Sequence, residues 1–322
     1  MSDVWLITRS LTDDIASNLT IDEAIENDYS MRETELSYKR EAFGEPLKIK
    51  AGFDQLKISC TFKPAKELIS PGYVKCLKNL PKLAIDGFHA YNHLHNHIDN
   101  LNALKEIGVK VVNDPDIHDV CSDKWKYYQI MENHKIPTIK SILLSLPGNS
   151  ESIESIESIL NYPVVIKPTN GTLNRGVIKC NTPDDVWYAC SQIYKLPFKP
   201  KTAIIQKWID HNIKGVLRTY MIGGNIVGCT QRRPSIQTDF FYAGSRENSI
   251  RTAYEITPKL IDYCKSIYLA LNKIDICAID ILYDGKNYVA CDINSPGSFV
   301  GTDSVLNTDI GKLIAEYMAS KL

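Results

Sequence analysis

Two short apolar runs near the end of the sequence, Ile276-Cys277-Ala278-Ile279 and Tyr288-Val289-Ala290-Cys291, each stop at an acid, Asp280 and Asp292. Runs of this length and composition are strands, and the Asp284-Gly285-Lys286-Asn287 between them is turn chemistry, so the pair predicts an antiparallel hairpin. Alternation along the second strand sends Asp292 and Asn294 to one face. Asp280 joins them there if the register of the two strands brings it opposite. Two carboxylates and an amide oxygen are hard ligands of the kind Mg²⁺ takes while leaving its other positions to water and phosphate. The competing reading is a solvated hairpin with ordinary surface acids, and only the rest of the chain can decide between them.

The chain has 322 residues, long enough for two or three units, since single cores stop growing at about 250 to 300 residues. With 37 basic against 38 acidic residues, no global charge draws it onto nucleic acid or a membrane. Anions must therefore be bound by local clusters. The nine cysteines are scattered without a CxxC pair, which reads as free thiols in a reducing compartment. No apolar run approaches about 18 residues and the N-terminus has no leader pattern, so the expectation is a cytoplasmic protein with neither membrane nor nucleic-acid partner.

Upstream, residues 4–7 read as a first buried strand and residues 12–41 as polar helix and loop. Residues 47–62 alternate enough for strands. Strand-like segments 83–86 and 109–113 flank the helical LNALKEIG, a rhythm that predicts a parallel sheet. This first unit is expected to end near His118. Helices are predicted over 122–134, with Ser122 and Asp123 as capping candidates, and over 151–160, with Ile153, Ile156 and Leu160 on one side. Further helices are predicted over 183–194, 258–271 and 308–321, and strands in IPTIKSILLS, YPVVIKP, GVIKC and AIIQKWI.

In YPVVIKPTNGTLNRGV, Lys167 ends a buried strand and Gly171 and Gly176 occupy the turn that follows. Glycines there let backbone N–H groups approach phosphate oxygens, and the lysine adds a point charge. A plain hairpin with a solvated lysine is the alternative. The strand ending in Gln206, Lys207, Trp208 and Ile209, followed by Asp210 and His211, suits an adenine hinge in which backbone groups of 207–209 face the base edge and Asp210 reaches the ribose. Trp208 as a plain core residue is the other reading.

The order of these parts resembles the ATP-grasp superfamily over roughly residues 110–322. Within it the best match is to RimK-like carboxylate–amine ligases. VVNDPDIHDVCSDKWKYYQIMENHKIPTIKS, KPTNGTLNRGV and IVGCTQRRPSIQTDFF are similar to their lysine helix, glycine loop and paired-arginine element. The resemblance implies an α/β fold, with a pre-ATP-grasp, substrate-side domain over 1–118 and an ATP-grasp pair of subdomains, 119–205 and 206–322, that clamp ATP. It implies that Lys124 and Lys167 contact phosphates beside Gly171, Thr172 and Gly176, and that Gln206, Lys207, Trp208, Ile209 and Asp210 form the nucleoside hinge. Asp280, Asp292 and Asn294 would hold Mg²⁺, or Mn²⁺ in its place, and Arg218 and Arg233 would sit by the γ-phosphate and the acyl phosphate. The implied reaction joins a carboxylate to an amine through an acyl phosphate and releases ADP and phosphate. Its substrates would be small molecules or peptides; a homo-oligomer is left open.

The departures from the family pattern are local. Ser-Pro-Gly follows Asn294 where RimK-like ligases have Asn-x-x-Pro-Gly, Asp292 stands where they generally have Glu, and the segment from Asp239 to Ala243 lacks the Arg and Asn that follow Asp-Phe in them. These leave ATP binding intact and put the acceptor side in question. QKWIDHN, QRRPS and DIN also resemble the inositol phosphate kinases of the same superfamily, which would pass phosphate to a hydroxyl. A regulatory module without turnover is disfavoured by the intact lysines, arginines and metal positions. His89, His93, His95 and His97 cluster in FHAYNHLHNHID; a zinc site is weaker there than a helix start near a cleft, or plain surface. Lys75, Lys78 and Lys82 read as a solvated face.

Overall fold

The computed structural model describes residues 2–8, 37–86, 97–171, 175–196, 201–210, 215–235 and 249–322, with side chains of the first helix described from residue 44 onward. The N-terminal part runs β1 (Val4–Thr8), α1 (Ser37–Gln55), β2 (Cys60–Pro64), α2 (Pro71–Lys75), β3 (Leu83–Asp86), α3 (His97–Glu106) and β4 (Lys110–Val112). Its four strands form the expected parallel sheet, in the order β2-β1-β3-β4. The alternation across 47–55 does not make a strand: those residues belong to α1. Glu45, Ile49 and Phe53 recur every fourth residue and all three are buried, so the helical period governs the burial.

The chain continues through α4 (Pro115–Ser122), α5 (Lys124–Asn133), β5 (Ser141–Ser145), α6 (Ser150–Leu160), β6 (Val164–Pro168), β7 (Ile178–Cys180), α7 (Pro183–Lys195) and β8 (Thr202–Lys207). Asp123 caps α5 by accepting the N–H groups of Trp125 and Lys126. The four strands form an antiparallel sheet in the order β5-β8-β6-β7. One face of it packs on α6 and α7, where Ile153, Ile156 and Leu160 are buried as the spacing predicts. Each such side chain contributes about 1.5–3 kcal/mol on leaving water. The expected boundary at 205/206 falls inside β8, which completes this sheet. Tyr127 and Met131 of α5 also pack away from it, into the core of the last sheet.

That last sheet is antiparallel, in the order β11-β10-β9-β12-β13, built from β9 (Val216–Ile222), β10 (Asn225–Pro234), β11 (Ser249–Ala253), β12 (Ile276–Tyr283) and β13 (Tyr288–Asn294). Helix α8 (Pro258–Ala270) precedes β12, and α9 (Val300–Leu306) and α10 (Ile310–Ala319) end the chain. Leu217, Met221, Cys277, Ile279 and Ile293 bury one face against α8 and α5. Tyr220, Ile222, Ile276 and Ala278 enter a different core, shared with β1, β3, α1 and α10. The first domain and the last sheet are thus two sides of one hydrophobic interior.

Helices α1 and α10 meet at backbone distance. A Cβ on Gly311 would lie 2.7 Å from Lys48 Cβ and 2.8 Å from its carbonyl carbon, and one on Gly52 would lie 2.8 Å from Ala315 Cβ. Overfilling such a contact costs about 1–3 kcal/mol. Gly311→Ala is therefore expected to lower the unfolding midpoint in urea or heat by a corresponding amount; an unchanged midpoint would show that the crossing has slack.

Candidate functional site

The predicted hairpin is present. Asp284 closes its turn by accepting the N–H groups of Lys286 (2.8 Å) and Asn287 (2.6 Å), with Gly285 at a φ of +101° that L side chains rarely adopt. Its register decides the geometry. Asp280 lies directly opposite Asp292 on one side and opposite Arg218 on the other. Directly opposed residues share a face, so Arg218, Asp280 and Asp292 form a row across β9, β12 and β13, with Asn294 two residues along on the same side. The pairing shifts between Asp280 and Ile281, which makes Cys291 the extra residue of a bulge.

Two like charges facing each other across strands repel, and three cations surround this pair. Arg218 Nη1 donates to both oxygens of Asp280 (3.1 and 3.0 Å) while its Nε and Nη2 donate to the Ser298 carbonyl (3.2 Å each). Lys124 Nζ stands 3.5 Å from Asp292 Oδ1 and donates to the Gly171 carbonyl (3.1 Å). Lys167 Nζ donates to the Cys291 carbonyl (2.7 Å), joining the middle sheet to the last one. Burial alone would push the Asp292 carboxyl up, but Lys124, Lys167 and Arg218 outweigh it and hold the group below its ordinary value. For Lys167, burial is the larger influence and pushes the ammonium down.

Sequence reasoning missed Tyr127, whose hydroxyl donates to Asp292 Oδ1 (3.3 Å) from inside the protein. It lies one turn after Lys124 on α5, so an i, i+3 reading from that lysine was the available signal. Lys167 and Gln206 share the inner face of the middle sheet, since Lys167 pairs with Ile204 and Gln206 follows two residues later. Gln206 is buried and its Nε2 donates to Ser141 Oγ (2.9 Å). The Lys207 side chain projects to the opposite face and bonds the Asn161 carbonyl (3.3 Å). Backbone N–H groups of Lys207 and Trp208 are already spent on the carbonyls of Lys140 and Pro163, so neither can serve a base edge. Lys179 lies over the Trp208 ring, Asp210 is exposed, and Ile209 packs on the buried cluster of Ile139, Val216, Leu282 and Val289. Gly176, at φ +76°, is pressed between Leu196 and Pro168. Thr172 lies outside the described residues, as do His211 and the segment from Asp239 to Ala243.

The arginine expectation needs correction. Thr230 pairs with Arg218 and Arg232 with Val216, so Arg232 lies on the Arg218 side of the sheet and Arg233 on the other. Arg233 is exposed, and Arg232 is half-buried opposite Arg251. A shift of one residue moves every side chain of a strand to the other face, and the bulge near Ile226 sets that phase.

His97 opens α3 but is not surface: it is buried, with Nε2 3.0 Å from Asp86 Oδ1, and His118 Nδ1 stands 3.8 Å from Asp86 Oδ2. His89, His93 and His95 lie outside the described residues. Burial pushes His97 down, but the charge of Asp86 and the hydrogen bond to it outweigh this and hold His97 above its ordinary 6.5. Burial drives His118 the other way. A raised histidine contributes stability that is fully present below pH 6.5 and lost as pH rises through its folded value. His118, depressed, contributes stability that is present above 6.5 and lost as pH falls through its lowered folded value. The wild-type melting temperature should therefore show a downward step on the alkaline side that His97→Gln lacks; identical profiles would remove the charged pair.

Among the described residues no three His, Cys, Asp or Glu side chains come together as a metal cluster. The set that fits a hard divalent cation is the one in the row: two opposed carboxylates and the Asn294 amide. The family model described as the RimK-like ATP-grasp domain matches residues 121–318. The chain belongs to this family.

Human N-acetylaspartylglutamate synthase A is 25% identical over 229 residues, 69% of this chain and 55% of that protein. The chain spans about half the length of the curated relatives it matches. Among solved structures, the RimK domain ATP-grasp protein of Sphaerobacter thermophilus DSM 20745 superposes with a TM-score of 0.69 at 16% identity, covering 98% of this chain and 99% of that one. The ATP-grasp ligase PsnB, solved with a precursor variant, Mg and ADP, gives a TM-score of 0.63 at 11% identity, covering 99% and 98%. These likenesses establish the fold: an ATP-grasp core behind an N-terminal α/β domain.

Proposed function

We propose that this chain is an ATP- and Mg²⁺-dependent carboxylate–amine ligase that forms an amide or peptide bond through an acyl phosphate and releases ADP and phosphate. The observation that carries the reading is the convergence of Lys124, Lys167 and Arg218 on the opposed Asp280–Asp292 pair. Such a face suits a polyphosphate brought in with its own cation. Asp280, Asp292 and Asn294 are the residues that would hold Mg²⁺, whose chemistry is to neutralise charge on the phosphates.

Lys124 and Lys167 would bind phosphate oxygens beside Gly171 and Gly176, and Gln206 and Ile209 would line the base. When a carboxylate attacks a phosphoryl group, negative charge gathers on negative charge, and fixed guanidinium groups offset it without reorganising. Arg218 and Arg232 are on the correct face for that work. The acyl phosphate would then be captured by an amine, with residues 1–118 forming the substrate side and the middle sheet the lid that keeps water out. The N-acetylaspartylglutamate synthase relative and the precursor-bound ligase support small-molecule or peptide substrates. No helix among the described residues is long and apolar enough to cross a membrane, and all nine cysteines are free, which supports a cytoplasmic setting.

Purified protein given Mg²⁺-ATP, pools of amino acids, short peptides and inositol phosphates, and hydroxylamine is expected to release phosphate and form a hydroxamate that names the acid. Phosphate transferred intact to an inositol, with no hydroxamate, would favour a kinase instead. In the same assay Arg232→Ala should cut turnover by about 10²-fold or more, the scale of losing one charge-stabilising donor, while Arg233→Ala should stay near wild type. The reverse ranking would sink the face assignment.

A further inference from the structure

The loop between Asn294 and α9 is held from below by the first domain. At one end Asn113 Nδ2 donates to Ser295 Oγ (2.9 Å) and to the Ile276 carbonyl (2.7 Å), and Asn113 Oδ1 accepts the Ile276 N–H (2.8 Å). At the other end Ser298 Oγ donates to Glu45 Oε1 at 2.6 Å. Between them Gly297 lies flat on β12, where a Cβ would come within 2.2 Å of Ala278 Cβ. Phe299, which follows Ser298, is fully buried edge-on against Tyr220 with ring centroids 5.7 Å apart.

Glu45 is 1% exposed and comes from α1, more than 250 residues away in sequence. Its helix is wedged against α10 by Gly52 and Gly311, and Lys48, nearly one turn on, pairs with Asp303 of α9 at 2.7 Å. A carboxylate is an expensive group to bury, and an apolar side chain would pack the same position without that cost. Pro46 follows it inside the helix, where proline removes a backbone hydrogen bond and disfavours helical geometry in the residue before it. Helix packing alone explains neither residue.

We propose that Glu45 is a positioning residue: by holding Ser298 it fixes the carbonyl that aims the guanidinium of Arg218 at Asp280, so that the first domain sets the geometry of the reaction centre. A guanidinium is planar, with its donors in a rigid fork. Two of the three nitrogens of Arg218 are committed to the Ser298 carbonyl, and this fixes where Nη1 points. In this arrangement Glu45 acts on Arg218 through Ser298. The inference rests on the role given above to Arg218, as a residue beside the γ-phosphate.

The test needs neither substrate to be known. Calorimetric titration of the full chain with AMP-PNP and with ADP, both with Mg²⁺, reads the contact to the γ-phosphate as the ratio of the two affinities. Arg218→Ala should weaken AMP-PNP by about tenfold or more and ADP by less than about threefold, as loss of one charge-assisted contact would. Glu45→Ala and Ser298→Ala should show the same selective loss. Glu45→Gln, whose amide oxygen still accepts the Ser298 hydroxyl, should keep the wild-type ratio. The Glu45→Ala, Arg218→Ala double variant should be no worse than Arg218→Ala alone, because both act on one contact. Ser298 is itself only half-buried, so its variant reports even if Glu45→Ala fails to fold. A wild-type ratio in Glu45→Ala or Ser298→Ala while Arg218→Ala loses it, or additive losses in the double variant, would overturn the link. An unchanged ratio in Arg218→Ala itself would overturn the role of that arginine, and the link with it.

Discussion

The arrangement depends on two carboxylates placed opposite each other across β12 and β13. Left alone they would repel across the sheet. Their position is tolerable because Arg218 and Lys124 reach them from β9 and α5, while Lys167 of β6, held on the Cys291 carbonyl beside Asp292, adds its charge. The cost of concentrating acid on one face is offset by contacts that tie the parts of the chain together. The same charges that make the row a candidate phosphate and metal face also assemble it.

The two other bodies join the last sheet by different means. The first domain shares a hydrophobic core with it through Tyr220, Ile222, Ile276 and Ala278, sealed by the α1–α10 crossing. The middle sheet keeps its own core of Ile153, Val164, Ile166 and Ile205. It meets the rest through polar links, Lys167 to the Cys291 carbonyl, the Lys124 N–H to the Thr169 carbonyl and the Thr138–Ala290 bridge, and through a small apolar cluster of Ile139 and Ile209 with Val216, Leu282 and Val289. A broad apolar seam fixes one neighbour, and exchangeable hydrogen bonds beside a small apolar cluster hold the other. Lys124 and Lys167 lie on that second, exchangeable boundary, where a phosphate could replace protein carbonyls as their partner.

Legibility in the sequence followed the range of the interactions. The acid hairpin, helix α6 and the Asp123 cap rest on neighbours a few residues apart, and period and turn chemistry revealed them. The choice between Arg232 and Arg233 was not readable, because it depends on a bulge near Ile226 and on pairing with β9, neither of which leaves a local mark. Residues 47–55 misled for a related reason: Leu47, Ile49, Ala51 and Phe53 alternate like a strand, while the burial of Glu45, Ile49 and Phe53 is helical and depends on a helix far along the chain. Helix α9 was missed because its seven residues include only three apolar ones larger than alanine.

The shortened Ser-Pro-Gly passage after Asn294 gains a physical account from these contacts. The passage has one residue fewer than the family pattern, and in it Gly297 lies against Ala278, where no side chain fits. A flat loop brings Ser295 and Ser298 down to the level of the first domain, within reach of Asn113 and Glu45. Loop length, the glycine and the buried carboxylate on α1 are therefore one packing solution. One of the places where this chain departs from the family pattern in sequence is also where the first domain meets the loop after Asn294.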